Sequence, residues 1–376
     1  MQSEGVTFHV KRSSSPALDY LHDALDALRA RDEYRERATA TEDPSRSFFS
    51  NDYLALSSIT APRIGSGTGA SRVVCGDHDK HREAEQEAAS LVGHPASLTF
   101  TSGYAANVGL LSALLDRHSF AVIDSLCHAS IIDGIRLSRA HMSVVPHCDT
   151  SAVADRLRRS EGRRAFVVTE SYFSMDADSP DLEELRSICD RAGAALLVDE
   201  AHALGVLGPE GRGLCVERRV QADAVIGTFG KSFGAGGAFV AGSEALISWL
   251  WNRARSFVFS TGLSPVLAAA AMRGMRTAAT EPARRERVLE AAHELRTAMG
   301  ALGLSPLGYG HIVPWVVGSN SEALRVSRSL AERGINTRAI RPPSVPTETA
   351  RLRLTLSACH TSSDVSRLVD AIAATV

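Results

Sequence analysis

Residues 194–202, AALLVDEAH, and residues 223–234, DAVIGTFGKSFG, decide the reading of the fold. Each opens with a short apolar run and stops abruptly in charged or small residues. Neither run alternates apolar with polar positions, so each predicts a strand covered on both faces. Working outward, the same unit recurs in ASLTF (96–100), FAVID (120–124), MSVVP (142–146), AFVVT (165–169) and GAFVAG (237–242). Helical segments such as DLEELRSICDRAG lie between some of these runs. Strand–helix alternation predicts an α/β protein with a mostly parallel, doubly wound sheet.

The pattern changes on either side. Leu18, Leu21, Leu25 and Leu28 recur at three- and four-residue steps, which predicts an amphipathic helix over 17–38. After about residue 260 a long helical stretch is followed by HIVPWVVG and the alternating RLRLTLSA, which predict a smaller α+β unit with a half-exposed sheet. The expected division is an N-terminal helical segment over 1–47, a large domain over 48–262 and a small C-terminal domain over 263–376. Such a division suits 376 residues.

Composition narrows the function classes. The formal charge of -2 directs no strong field at nucleic acid or an anionic membrane, so neither is an expected partner. Six scattered cysteines, with no CxxC pair, read as reduced thiols rather than a disulfide framework or zinc site. The N-terminus shows no long apolar h-region, and no stretch reaches the ~20 apolar residues of a membrane span. The cytoplasm is the expected location. His78 and His81 have no acidic or cysteine partner at zinc-site spacing and read as surface residues; no metal is expected.

Open α/β sheets bind ligands beyond the C-terminal ends of their strands, and those ends are polar here. ASLTF leads to Thr101, Ser102, Gly103 and Tyr104 before a helical pattern, an N-terminus that by itself reads first as ordinary capping and also suits a phosphate. Asp199 ends a buried strand, where a carboxylate needs a partner; a protonated pyridine nitrogen would serve, as would a structural salt bridge. His202 follows three residues later. Lys231, flanked by glycine beside an apolar strand, is placed to be desolvated and so to become a nucleophilic amine. GKS is not a P-loop, because Val225 stands where its first glycine would be. His128 lies just past FAVID and Glu170 just past AFVVT. No G-x-S-x-G elbow occurs, and GSGTGAS (65–71) follows no clear strand.

With these residues in order, the chain resembles the α-oxoamine synthases, fold-type I enzymes that use pyridoxal 5'-phosphate (PLP). The resemblance is carried by NDYLAL (51–56), TSGYAAN (101–107), HASIIDG (128–134), TESYFSMDAD (169–178), VDEAHALGVLGPEGRG (198–213), TFGKSFG (228–234) and FSTGLSP (259–265). The tail AIRPPSVPTETARLRLTLSACH (339–360) is closest to the biotin-pathway branch, the 8-amino-7-oxononanoate synthases. That branch condenses L-alanine with a pimeloyl thioester, on coenzyme A or acyl carrier protein, with loss of CO2.

By motif, the resemblance implies that Lys231 holds the cofactor as a Schiff base and serves as acid and base. Asp199 would pair with the pyridinium nitrogen, His202 would contact the phenolic oxygen and His128 would stack on the ring. Ser102, Gly103, Tyr104 and Thr228 would surround the phosphate. Ser260 and Thr261 would reach the phosphate of a partner subunit in a homodimer with shared sites. Ser174 would lie near the cofactor, Arg353 would bind the amino-acid carboxylate, and Asn51 would lie on the substrate side. The segment between NDYLAL and GSGTGAS is shorter than in typical members, and GASRVVCGDHDKHREAE is closer to the glycine-using acetyltransferase branch. That branch and the natural-product or signal synthases of the family stay open as alternatives. So do aminotransfer on the same fold and a non-catalytic partner subunit.

Overall fold

The computed structural model describes residues 26–34, 44–56, 65–160 and 162–376. Most of the helix expected over 17–38 lies outside these, though 26–30 are helical. The shortened stretch at 57–64 also lies outside them.

The apolar runs form a seven-stranded sheet: β1 (Ala96–Phe100), β2 (Ser119–Asp124), β3 (His141–Val145), β4 (Arg164–Glu170), β5 (Ala195–Asp199), β6 (Ala224–Thr228) and β7 (Ala238–Gly242). Their order is β1-β7-β6-β5-β4-β2-β3. All pairings from β6 to β3 are parallel, whereas β7 runs antiparallel to both β1 and β6. The core lies on both faces of this sheet. In β4, Val167 packs into one apolar cluster and Phe166 and Val168 into another.

MSVVP departs from the doubly covered expectation. It forms the edge strand β3, in which Val145 is buried and His141 and Val144 are exposed. An edge strand has one neighbour, and its apolar run carried no sign of that.

Beyond residue 262 the expected long helix is two, Pro265–Thr280 and Pro282–Ala301, divided where Pro282 starts the second. A Cβ at Gly274 would overlap the backbone of Phe233, so glycine allows the first helix to lie directly on the loop after Lys231. The small sheet has β8 (Ile312–Gly318), β9 (Ala339–Ile340) and β10 (Ala350–Thr355) in antiparallel order β8-β10-β9. Its RLRL strand is not half-exposed. Arg351 is buried and ion-pairs with Asp176 at 2.5 Å. Residues 47–56 run along this sheet, where Thr355 N–H donates to Phe48 O (3.0 Å) and Ala358 N–H to Tyr53 O (2.7 Å).

His78 is exposed as expected, but His81 departs from expectation. His78 caps the helix Asp79–Val92, and His81 is fully buried with Nε2 2.6 Å from Leu263 O. The helix packs against Pro265–Thr280, which hides the histidine one turn in. Among the described residues no helix is long and apolar enough to cross a membrane.

Candidate active site

Because β7 is reversed between β1 and β6, those two strands run the same way, and β1, β6, β5, β4 and β2 all end on one edge. That edge gathers Gly103 and Tyr104 past β1, His128 past β2, Glu170 at the end of β4, Asp199 at the end of β5, and Thr228 and Lys231 at and past β6. With Asn107, Ser130 and His202 they line a cavity of about 190 Å³.

Lys231 is half-buried with Nζ 2.7 Å from His202 Nε2. Burial pushes the amine down to about 8, although the nearby charges of Asp199 and Glu170 oppose the shift. Burial likewise drives His202 well below the ordinary imidazole range. His202 Nδ1 lies 3.0 Å from the Tyr53 hydroxyl. That hydroxyl donates to Asn51 Oδ1 (2.9 Å) and accepts from Arg353 Nη2 (3.2 Å), which also donates to Asn51 Oδ1. Assigned from these partners, His202 carries its proton on Nδ1 and offers the Nε2 lone pair to Lys231. Asn51, Tyr53 and Arg353 come from the small-sheet side, so this chain of bonds joins it to the lysine.

Asp199 is buried and lines the same cavity. Its Oδ2 accepts from Asn107 Nδ2 (2.7 Å) and its Oδ1 from Ala201 N–H (2.9 Å). Glu170 faces it in register on β4 and accepts His128 N–H at 2.8 Å through Oε1. Burial and the Asp199 charge push the Glu170 carboxyl well up. His128 Nδ1 lies 2.7 Å from Ser130 Oγ, and burial lowers this imidazole too.

Ser102 caps the helix Gly103–Leu114 through a bond from Ala105 N–H at 3.1 Å. Thr228 Oγ1 donates to Gly237 O (3.1 Å) and accepts Gly230 N–H (3.2 Å), fixing the loop that carries Lys231. Tyr104 is exposed, its hydroxyl donating to Asp133 Oδ2 at 2.6 Å. Ser174 lines an adjoining cavity of about 510 Å³ that shares His128 and Glu170 with the first. Ser260 and Thr261 lie elsewhere, in a small cleft with Arg72.

Sequence reasoning missed Tyr53 and Asn107, and left Glu170 without a role. Tyr53 sits in an apolar stretch and reads as core, and Asn107 is one polar residue inside a helical pattern. Only their membership of NDYLAL and TSGYAAN could have flagged them.

The family model for aminotransferase class I and II matches residues 48–372. The chain belongs to this family. The α-oxoamine synthase resemblance is also borne out, closest to the 8-amino-7-oxononanoate synthases. The protein of that name from Anaeromyxobacter dehalogenans (strain 2CP-1) is 45% identical over 86% of this chain and 85% of its own. The one from Methylococcus capsulatus is 42% identical over 93% and 96%. Among solved structures, serine palmitoyltransferase from S. paucimobilis with bound PLP-myriocin aldimine superposes with a TM-score of 0.89 at 26% identity, covering 97% of this chain and 98% of that one. The 8-amino-7-oxononanoate synthase from Francisella tularensis gives 0.75 at 28%, over 88% and 98%.

The residues of the cavity fit PLP. A desolvated amine suits an aldehyde, a buried carboxylate suits a pyridinium, two imidazoles line the same cavity, and the free N–H groups of a helix start suit a phosphate.

Proposed function

We propose that this chain catalyses the decarboxylative condensation of L-alanine with a pimeloyl thioester, giving 8-amino-7-oxononanoate, CO2 and the free thiol. The observation that carries the reading is the chain of bonds from Lys231 through His202 and Tyr53 to Arg353, which joins a base to a carboxylate-binding cation. The names of the relatives support the same reading. Bound PLP supplies an electron-withdrawing ring for the charge released at the amino-acid Cα.

The protein's own groups do the rest. Lys231 Nζ takes the Cα proton and later returns one to the product carbon. His202 Nε2 holds that amine in place. The Asp199 carboxylate would stabilise positive charge at the ring nitrogen, and Arg353 would orient the substrate carboxylate beside Asn51. With PLP bound, His128 would cover the ring, while Ser102, Gly103, Tyr104 and Thr228 would hold the phosphate. The acyl donor lies in the 510 Å³ cavity, whose Leu126, Ile132, Phe173 and Met175 suit a hydrocarbon chain and whose Ser174 stands near the cofactor. A homodimer, with Ser260 and Thr261 reaching the partner's phosphate, completes the reading. The exposed Phe259 beside them supports it.

The reading is tested by mass spectrometry of the products formed by the PLP-loaded protein from alanine or glycine with a panel of thioesters. Mass for 8-amino-7-oxononanoate is expected with alanine and a pimeloyl donor; turnover of glycine with acetyl-CoA alone would overturn it.

Two further results are expected. Cofactor attachment needs the neutral amine of Lys231, whose fraction grows as pH rises and reaches half near the lowered value of about 8. The rate of PLP uptake by cofactor-free protein, followed by absorbance, should therefore climb through about pH 8 and then level off. Tyr53→Phe removes a hydroxyl that Arg353 and His202 share. It should weaken alanine binding about tenfold in an absorbance titration, the order of a lost buried hydrogen bond.

A further inference from the structure

His147 lies outside the cavity just described and bonds two carboxylates at once. Its Nδ1 is 2.9 Å from Asp124 Oδ1, and its Nε2 is 3.0 Å from Asp178 Oδ2. Asp124 ends β2 and also accepts Leu126 N–H (2.8 Å) and Cys148 N–H (2.7 Å). Asp178 closes the loop after β4, where its backbone bridges Phe173. The Phe173 ring meets the His147 ring edge-on with centroids 4.6 Å apart. Flanked by two carboxylates, His147 is held as the imidazolium, pushed up to about 12 against the opposing effect of burial. Asp124, His147 and Cys148 approach one another as metal ligands would. An imidazolium that donates from both nitrogens has no lone pair left for a metal.

The two segments joined through this ring are two walls of the 510 Å³ cavity, 125–129 and 173–176. We infer that His147 is a positioning residue that sets the width of the acyl-donor cavity by clamping the loop after β4 to the end of β2. The inference rests on the acyl donor occupying that cavity. A neutral residue at 147 would leave Asp124 and Asp178 facing each other with no cation between them. Their repulsion would move the less buried partner, Asp178, and with it Phe173. His128 would stay, because its own N–H is bonded to Glu170 and its ring to Ser130. Alanine binding should therefore be spared.

The test uses the PLP-loaded enzyme and steady-state kinetics with pimeloyl-CoA. His147→Gln should raise the thioester KM about tenfold, the scale of coupling within one ionic network. Alanine affinity and the cofactor absorption maximum should stay within a factor of two of the parent. His147→Arg, which restores a cation, should recover most of the loss. Asp178→Asn on top of His147→Gln removes the repulsion between the two carboxylates and should recover part of the loss. Met175→Trp, which fills the same cavity without touching His147, should also raise the thioester KM. An unchanged KM in His147→Gln alongside a raised one in Met175→Trp would overturn the clamp. An unchanged KM in both would overturn the cavity assignment and the clamp with it. Equal loss of alanine, cofactor and thioester binding would show general damage and overturn the positioning role.

Discussion

Lys231→Ala is expected to lower product formation by at least about 10⁴-fold, the upper end of what one positioned acid–base group contributes. The figure sits at that end because one atom does two things: Nζ both anchors the cofactor and carries the proton. His202 Nε2 is 2.7 Å from the place Nζ leaves, but burial drives that imidazole well below its ordinary range, so it is a poor substitute base. The substitution opens space beside His202 and Thr228 on the cavity wall. A small amine such as methylamine should enter that space and restore a measurable part of the rate. Single-turnover mass spectrometry reads both effects. A rate within about tenfold of the parent, without added amine, would refute the assignment of Lys231.

The residues that were legible are those whose polarity contradicts their surroundings. Asp199, His202 and Lys231 each follow a run that reads as buried strand, and a charge there needs a reason. The sheet's class was legible for the same cause, since uninterrupted apolar runs separated by helices leave few topologies. Direction was not. GAFVAG has the same composition as its neighbours, yet β7 is reversed, because the short connection from β6 through Lys231 permits a hairpin and no crossover. Burial of charge was also hidden. Arg351 looks like the polar half of an alternating strand until the Asp176 loop folds over it. Tyr53 and His147 act through partners 149 and 31 residues away in sequence, His202 and Asp178, and local pattern carries no trace of such pairings.

Asp199→Asn is the second large effect, and it separates charge from shape. The asparagine keeps the outline but carries one acceptor, whereas both carboxylate oxygens now receive N–H groups, from Ala201 and from Asn107. Its amide must turn a donor toward one of them, so a hydrogen bond is lost along with the charge. Leaving a buried cation without its counter-charge costs roughly 3–5 kcal/mol, so turnover should fall about 10²- to 10⁴-fold. A second readout needs no turnover. The Asp199 charge opposes the lowering of the Lys231 amine, so its removal should lower that amine further. The pH at which cofactor uptake is half-maximal should then move below the parent's value of about 8. The sign is fixed, because a carboxylate favours the ammonium and its loss favours the neutral amine. Asn107→Ala gives the contrast, since it removes the bond to Oδ2 and keeps the charge. It should lower turnover less and leave the uptake midpoint in place. If both variants shifted the midpoint alike, the field at Lys231 would come from the arrangement of the cavity wall rather than from the Asp199 charge, and the pairing of that charge with a ring nitrogen would lose its support.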